Sequence, residues 1–200
     1  MTGGGQQPVA VLDAVCCVQF CAAKRHRLFL TLLVELGWQV LVPGEVDKEV
    51  RDKRFSYPDL ADTWPRFTRS DRVQILDVIE LHRPDQAAVR NTVARLRGTS
   101  AALALKQSNH LGEHIVVGHA RVMQDQGQDV SVLIDDGDAQ DMAASEGLDV
   151  VDMEHLLLFG HLQKVPDLDS RAKVRKVYED LLPFGGSLVS WEKSWLRTQL

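Results

Sequence analysis

Two hundred residues suffice for one domain that buries roughly 70% of its unfolded surface, so the chain needs no disulfide or metal staple. Hydrophobic residues make up 44% and charged residues 26%, which excludes a disordered, collagen-like or coiled-coil chain. Lys and Arg number 23 against 28 Asp and Glu, a net charge of −5, so no global basic field exists to coat nucleic acid nonspecifically.

The opening MTGGGQQ, residues 1–7, reads as a disordered leader, with no basic stretch before an apolar run and hence no signal peptide. Pro8 introduces Val9-Ala10-Val11-Leu12, a run suited to a fully buried parallel strand, and Asp13 ends it. Residues 14–24 and 26–35 suit two helices, the second stopped by Gly37. Residues 38–42 form the next buried strand, ended by Pro43, and 45–54 a short helix with Val46 and Val50 on one face. Residues 55–71, carrying Ser56, Pro58, Pro65, Ser70 and several charges, read as a loop or small insertion outside the core. A strand over 73–81 and a proline-started helix over 84–97 follow.

Ser108 or Asn109 is positioned to cap a longer helix that runs to about residue 126. Residues 130–134, Val-Ser-Val-Leu-Ile, are the clearest strand. A helix over 138–146, stopped by Gly147, leads to a last strand at 149–151, and the chain from Met153 is helical with breaks at Pro166 and Pro183. Strands alternating with helices predict an α/β fold, a three-layer α/β/α arrangement around a mostly parallel sheet. That domain spans residues 8–165, and 166–200 form a helical C-terminal extension.

Cys16, Cys17 and Cys21 crowd into six residues, which argues against a disulfide framework and for buried thiols in a reducing cytoplasm. The apolar run 28–36 is too short to span a bilayer and is broken by Glu35, so no membrane partner is expected. The apolar faces of 28–36 and 168–196 exceed what one small sheet covers, which points to a homodimer or a protein-docking surface.

In open parallel sheets, ligands bind beyond the carboxyl ends of the strands. Asp13 follows the first strand, and Asp135 and Asp136 follow the strand at 130–134. Glu49 lies on the helix after the second strand, Glu113 near the start of a later helix, and Asp138 just past Asp136. Each alone suits a helix cap or a solvated helix face. Brought to about 4 Å, two such acids repel by roughly 4 kcal/mol at an effective dielectric of 20, so a cluster of them calls for cations. All-oxygen ligands select Mg²⁺ or Mn²⁺, which can activate water and stabilise a phosphodiester leaving group.

The segments VLDAVCCVQF and LFLTLLVELGWQVLVPGEVDKEV resemble the start of a PIN domain, the metal-dependent nuclease fold of VapC-type toxins. The matching features are the strand ending in Asp13 and the run Val42-Pro43-Gly44-Glu45-Val46-Asp47-Lys48-Glu49. LGEHIVVGHARVMQDQGQDVSVLIDDGDAQDMAASEGLDVV is similar to the family's L-G-E helix and its strand ending in acids. The resemblance covers residues 8–160. It implies a ribonuclease whose Asp13, Glu49, Glu113 and Asp136 hold Mg²⁺ or Mn²⁺, with Asp135 and Asp138 as further metal neighbours. It also implies an RNA substrate and an antitoxin partner. Many members carry a second Glu two residues after the first on the L-G-E helix, where this chain has Ile115. The alternative is therefore a catalytically inactive PIN-like module that binds nucleic acid or a protein.

His110-Leu111-Gly112-Glu113-His114 formally matches the H-x-x-E-H zinc-peptidase pattern, but Gly112 weakens such a helix, and polar helix-start residues are the preferred reading. No glycine-rich dinucleotide or P-loop motif is present, and Val15 occupies the place where a haloacid-dehalogenase phosphatase needs its second acid. Trp191 and Trp195 read as packing residues. The basic clusters at 24–27 and 51–54 could line a nucleic-acid approach or simply be solvated helix ends.

Overall fold

A computed structural model of the chain describes residues 7–107 and 109–200. The leader expected at 1–7 lies outside these except for Gln7, as does the candidate cap Ser108. Five strands, β1 (Val9–Leu12), β2 (Gln39–Val42), β3 (Val73–Ile75), β4 (Val130–Leu133) and β5 (Asp149–Val151), form one sheet. Its order is β3-β2-β1-β4-β5, and every pairing is parallel. The fold is the expected three-layer α/β/α arrangement.

All four residues of β1 are buried, because helices cover both faces of a central parallel strand. Helices α1 (Ala14–Ala22), α2 (His26–Glu35), α3 (Gly44–Asp52) and α4 (Leu60–Thr68) pack on one another. Beyond β3 come α5 (Ala87–Leu96), α6 (Ala101–Lys106), α7 (Leu111–Asp125) and α8 (Gly137–Ser145), where α5 packs on α6 and α7, and α7 on α8. Parallel connections are right-handed as a rule, so the reversal of strand order between β1 and β4 assigns these two groups to opposite faces. Gly118 lets α5 approach α7, since a Cβ there would stand 2.8 Å from Val93 Cγ2.

The segment 55–71 corrects the expectation of a peripheral loop. Its α4 buries Leu60, Thr63, Trp64 and Phe67 against α1, α2 and α3. Phe20, Phe29, Phe67 and Trp64 form a continuous stack with centroid spacings of 4.3, 5.2 and 5.5 Å. Pro65 lies inside this helix without interrupting the apolar face. The strand expected over 73–81 is only β3, and α6 lies in a stretch where no element was expected.

The chain ends in α9 (Met153–Leu162), α10 (Arg171–Leu181) and α11 (Leu196–Gln199). Leu168, Val174, Val177, Tyr178, Leu181, Trp191 and Leu196 belong to the same buried cluster as the sheet. Leu28, Phe29, Leu32 and Leu33 of α2 join it too. The apolar faces expected to be spare are thus largely consumed inside the chain, which removes the argument for a homodimer or antitoxin surface there. Trp191 is packed as expected, edge-to-face on Tyr178, while Trp195 is 43% exposed beside His155. The three cysteines are free and buried. Among the described residues no helix is long and apolar enough to cross a membrane.

The tail is latched beside β4. Asp135 Oδ2 accepts from Gln19 Nε2 at 3.1 Å and from the Ser187 amide at 2.9 Å, and its Oδ1 accepts from Ser187 Oγ at 2.9 Å. Gln19 Nε2 also donates to the Gly185 carbonyl at 2.5 Å. The turn that allows this has φ +95° at Gly185 and +84° at Gly186. A methyl group at Gly186 would collide with Asp135 Oδ2 and Gln19 Nε2, whereas one at Gly185 meets nothing within 4 Å. Gly185→Ala is expected to cost about 1–3 kcal/mol for the backbone alone, since φ +95° with ψ −162° is a conformation essentially reserved for glycine. Gly186→Ala is expected to cost about 1 kcal/mol more, since it also disturbs hydrogen bonds of a buried carboxylate. Equal losses for the two variants in urea unfolding would show that crowding Asp135 and Gln19 at Gly186 adds nothing to the backbone cost.

Candidate functional site

The strand order reverses between β1 and β4, so the crevice at their carboxyl ends is where an open parallel sheet binds ligands. Asp13 stands there. Its backbone amide donates to the Leu133 carbonyl at 3.0 Å, and its Oδ2 caps α1 by accepting from the Val15 amide at 3.1 Å. The residue is 3% exposed. Burial pushes its carboxyl up to about 7, against the pull of the Val15 and Ala14 amides and with a further push from the charges of Glu49 and Glu113.

Glu49 reaches the same place from the second turn of α3. Burial raises its pKa most, Lys53 one turn on opposes that, and Glu113 adds to it. Glu113 comes from the first turn of α7 and accepts a hydrogen bond from His110 Nδ1 at 2.8 Å. Glycine at 112 makes room for the approach of α3 to α7, since a Cβ there would lie 3.3 Å from Glu49 Oε2. Asp13, Glu49, Glu113, His110 and Gly112 border one cavity of about 210 Å³.

The other expected acids are placed differently. Asp136 caps α8, its Oδ1 accepting from the Ala139 amide at 3.1 Å, and it does not border this cavity. Asp138 is exposed in the first turn of α8. Asp135 is fully buried, its pKa raised by burial and held back by its Ser187 and Gln19 partners, and its oxygens are engaged in the tail latch.

The H-x-x-E-H pattern does not form a zinc face. His110 precedes α7 in a left-handed conformation at φ +54°, and His114 Nδ1 donates to the His110 carbonyl at 2.6 Å. Among the described residues no three His, Cys, Asp or Glu side chains are grouped so as to hold a metal ion as they stand. In kind, the donors that meet at the cavity fit a hard divalent cation: three carboxylates, one of them buried with only backbone amides to offset its charge.

Two neighbouring cavities share Glu49 and Lys53. One, of about 490 Å³, is bordered by Glu45, Lys48, Ile79 and Leu111. There Glu45 Oε1 accepts from the Ile79 amide at 2.6 Å, while its buried Oε2 has no partner among the described residues. The other, of about 250 Å³, is bordered by Tyr57 and Phe184. Sequence reasoning had two local cues to Lys53, its place in the basic cluster 51–54 and its position four residues after Glu49 on the same helical side. It had none for Tyr57 and Phe184, which come from distant segments.

No protein-family model matches the chain, and no curated protein or solved structure matches it significantly.

Proposed function

We propose that the chain is a Mg²⁺- or Mn²⁺-dependent ribonuclease that hydrolyses RNA phosphodiesters at the crevice beyond β1, with Asp13, Glu49 and Glu113 holding the ion. The observation that carries this reading is Asp13, buried at the reversal point of a parallel sheet and facing two further carboxylates. A bound hard cation would supply charge neutralisation at the phosphate and activation of water.

The chain's own residues have separate tasks. Asp13 holds a proton near neutrality because of its burial, so loading the site releases that proton and tightens as pH rises through about 7. Gly112 lets the Glu49 carboxylate lie against the start of α7. His110 orients Glu113. Lys53 offsets the charge of Glu49 and presents an ammonium at the rim for a phosphate. Asp136, assigned by resemblance to the ligand set, serves α8 as its cap and takes no part in this reading.

The experiment is incubation of the full chain with end-labelled single-stranded and hairpin RNA in Mg²⁺, Mn²⁺ or EDTA. Cleavage in either metal that EDTA abolishes is the expected result. Binding of RNA with no cleavage in any metal would overturn it in favour of an inactive nucleic-acid-binding module.

A further inference from the structure

We infer that the cavity bordered by Tyr57 and Phe184 is a nucleobase subsite, which takes a single base of an RNA strand whose phosphate lies at the carboxylates. The inference rests on the ribonuclease reading and names the kind of strand it takes, single-stranded RNA with at least one unstacked base.

The two rings meet edge-to-face, with centroids 5.4 Å apart and an interplanar angle of 74°. Val15 and Val18 of α1 supply an apolar floor, and Gly185 and Gly186 leave one wall as bare backbone. A volume of about 250 Å³ has room for one base. It is smaller than the several hundred Å³ usual for a larger ligand. Lys53 and Glu49 stand at the rim, and both Val15 and Glu49 also border the 210 Å³ carboxylate cavity. The shared border lets one nucleotide occupy both spaces, its base against the aromatic border and its phosphate toward Lys53 and the carboxylates. Base–aromatic stacking tolerates any sequence and requires an unpaired base, so the substrate is a single strand or a loop.

The test measures equilibrium binding in EDTA, where no metal-dependent cleavage can intervene, by fluorescence anisotropy. The probes are RNA hexamers of adenylate, cytidylate and uridylate, and a hexamer of abasic ribose phosphates. The tightest of the three is expected to bind wild type about tenfold more tightly than the abasic strand. Tyr57→Leu and Phe184→Leu, checked for folding by thermal melts, are expected to reduce that preference to about twofold while leaving affinity for the abasic strand unchanged. Equal binding of abasic and base-bearing strands by wild type would overturn the subsite without recourse to any variant, even if RNA is cleaved in metal. A base preference that both variants retain would equally overturn it. A base preference lost in the variants, in a protein that cleaves nothing, would support the subsite and reject the ribonuclease reading instead.

Discussion

Asp13→Asn is expected to stabilise the metal-free protein above pH 7 and to lower metal-dependent cleavage on the order of a hundredfold or more. The two effects have one origin. The Asp13 carboxyl is raised from 3.8 to about 7, a displacement worth about 4 kcal/mol between its two protonation states. A folded-state pKa above the unfolded one gives stability that is fully present below 3.8 and lost as pH rises through about 7. At pH 8 the wild type therefore bears the full cost of a buried charge beside two other carboxylates, and asparagine removes it while retaining an oxygen to cap α1.

His119 works in the opposite direction. Burial lowers its pKa from 6.5 to about 4, and its Nε2 has no partner among the described residues. Its contribution to stability is present above 6.5 and lost as pH falls toward 4. Between about 4 and 6.5 the two groups offset each other in the wild type. Asp13→Asn is thus expected to be more acid-sensitive than wild type over that window, even though it is more stable at pH 8. Added Mg²⁺ or Mn²⁺ should raise the melting temperature of wild type, by about 2.7 kcal/mol of stability at a hundredfold excess over the dissociation constant, and should do much less for the variant. Melts from pH 4 to 8 with EDTA or metal check each part. An Asp13→Asn protein no more stable than wild type at pH 8 would show that the charge at this position is not strained.

Trp64→Ala is expected to cost about 3–5 kcal/mol, and to lower the melting temperature of a chain this size by about 10 °C. Trp64 is 1% exposed, ends the aromatic stack, and donates from Nε1 to Asp47 Oδ1 at 2.8 Å. Alanine there opens a large cavity and leaves the Asp47 oxygen without that donor. Trp64→Phe retains most of the buried ring and loses the hydrogen bond, so about 1–2 kcal/mol is expected. A loop outside the core would instead show changes within about 0.5 kcal/mol for either substitution. Urea unfolding of both variants separates these outcomes.

That segment shows how far local signals reach. Two prolines and several charges suggested a loop, yet Leu60, Trp64 and Phe67 recur at helical spacing and mark a buried face. A proline removes one amide donor from a helix and does not erase its apolar stripe. Whether such a stripe meets a partner depends on α1, α2 and α3, which the segment itself does not encode.

The sequence by itself determined β1, β2, β4 and β5, the alternation with helices, and the acids at the strand ends. These are local properties: a strand covered on both faces is rich in apolar residues, as all of β1 and most of β2 and β4 are, and Gly37 and Gly147 stop helices with their positive φ values of 74° and 73°. Only the tertiary structure decided which acids meet. Asp13, Asp135 and Asp136 all follow apolar strands. The parallel pairing of β1 with β4, the approach of α3 to α7 at Gly112, and the return of the tail to Ser187 send their carboxylates to different places. Asp13 faces Glu49 and Glu113, Asp135 holds the tail, and Asp136 turns back onto its own helix. The Tyr57–Phe184 pocket has the same origin, since 126 residues separate its two rings. A carboxylate's task is set by the groups that desolvate it or donate to it. Those groups lie far away in the chain and near only after the sheet has assembled.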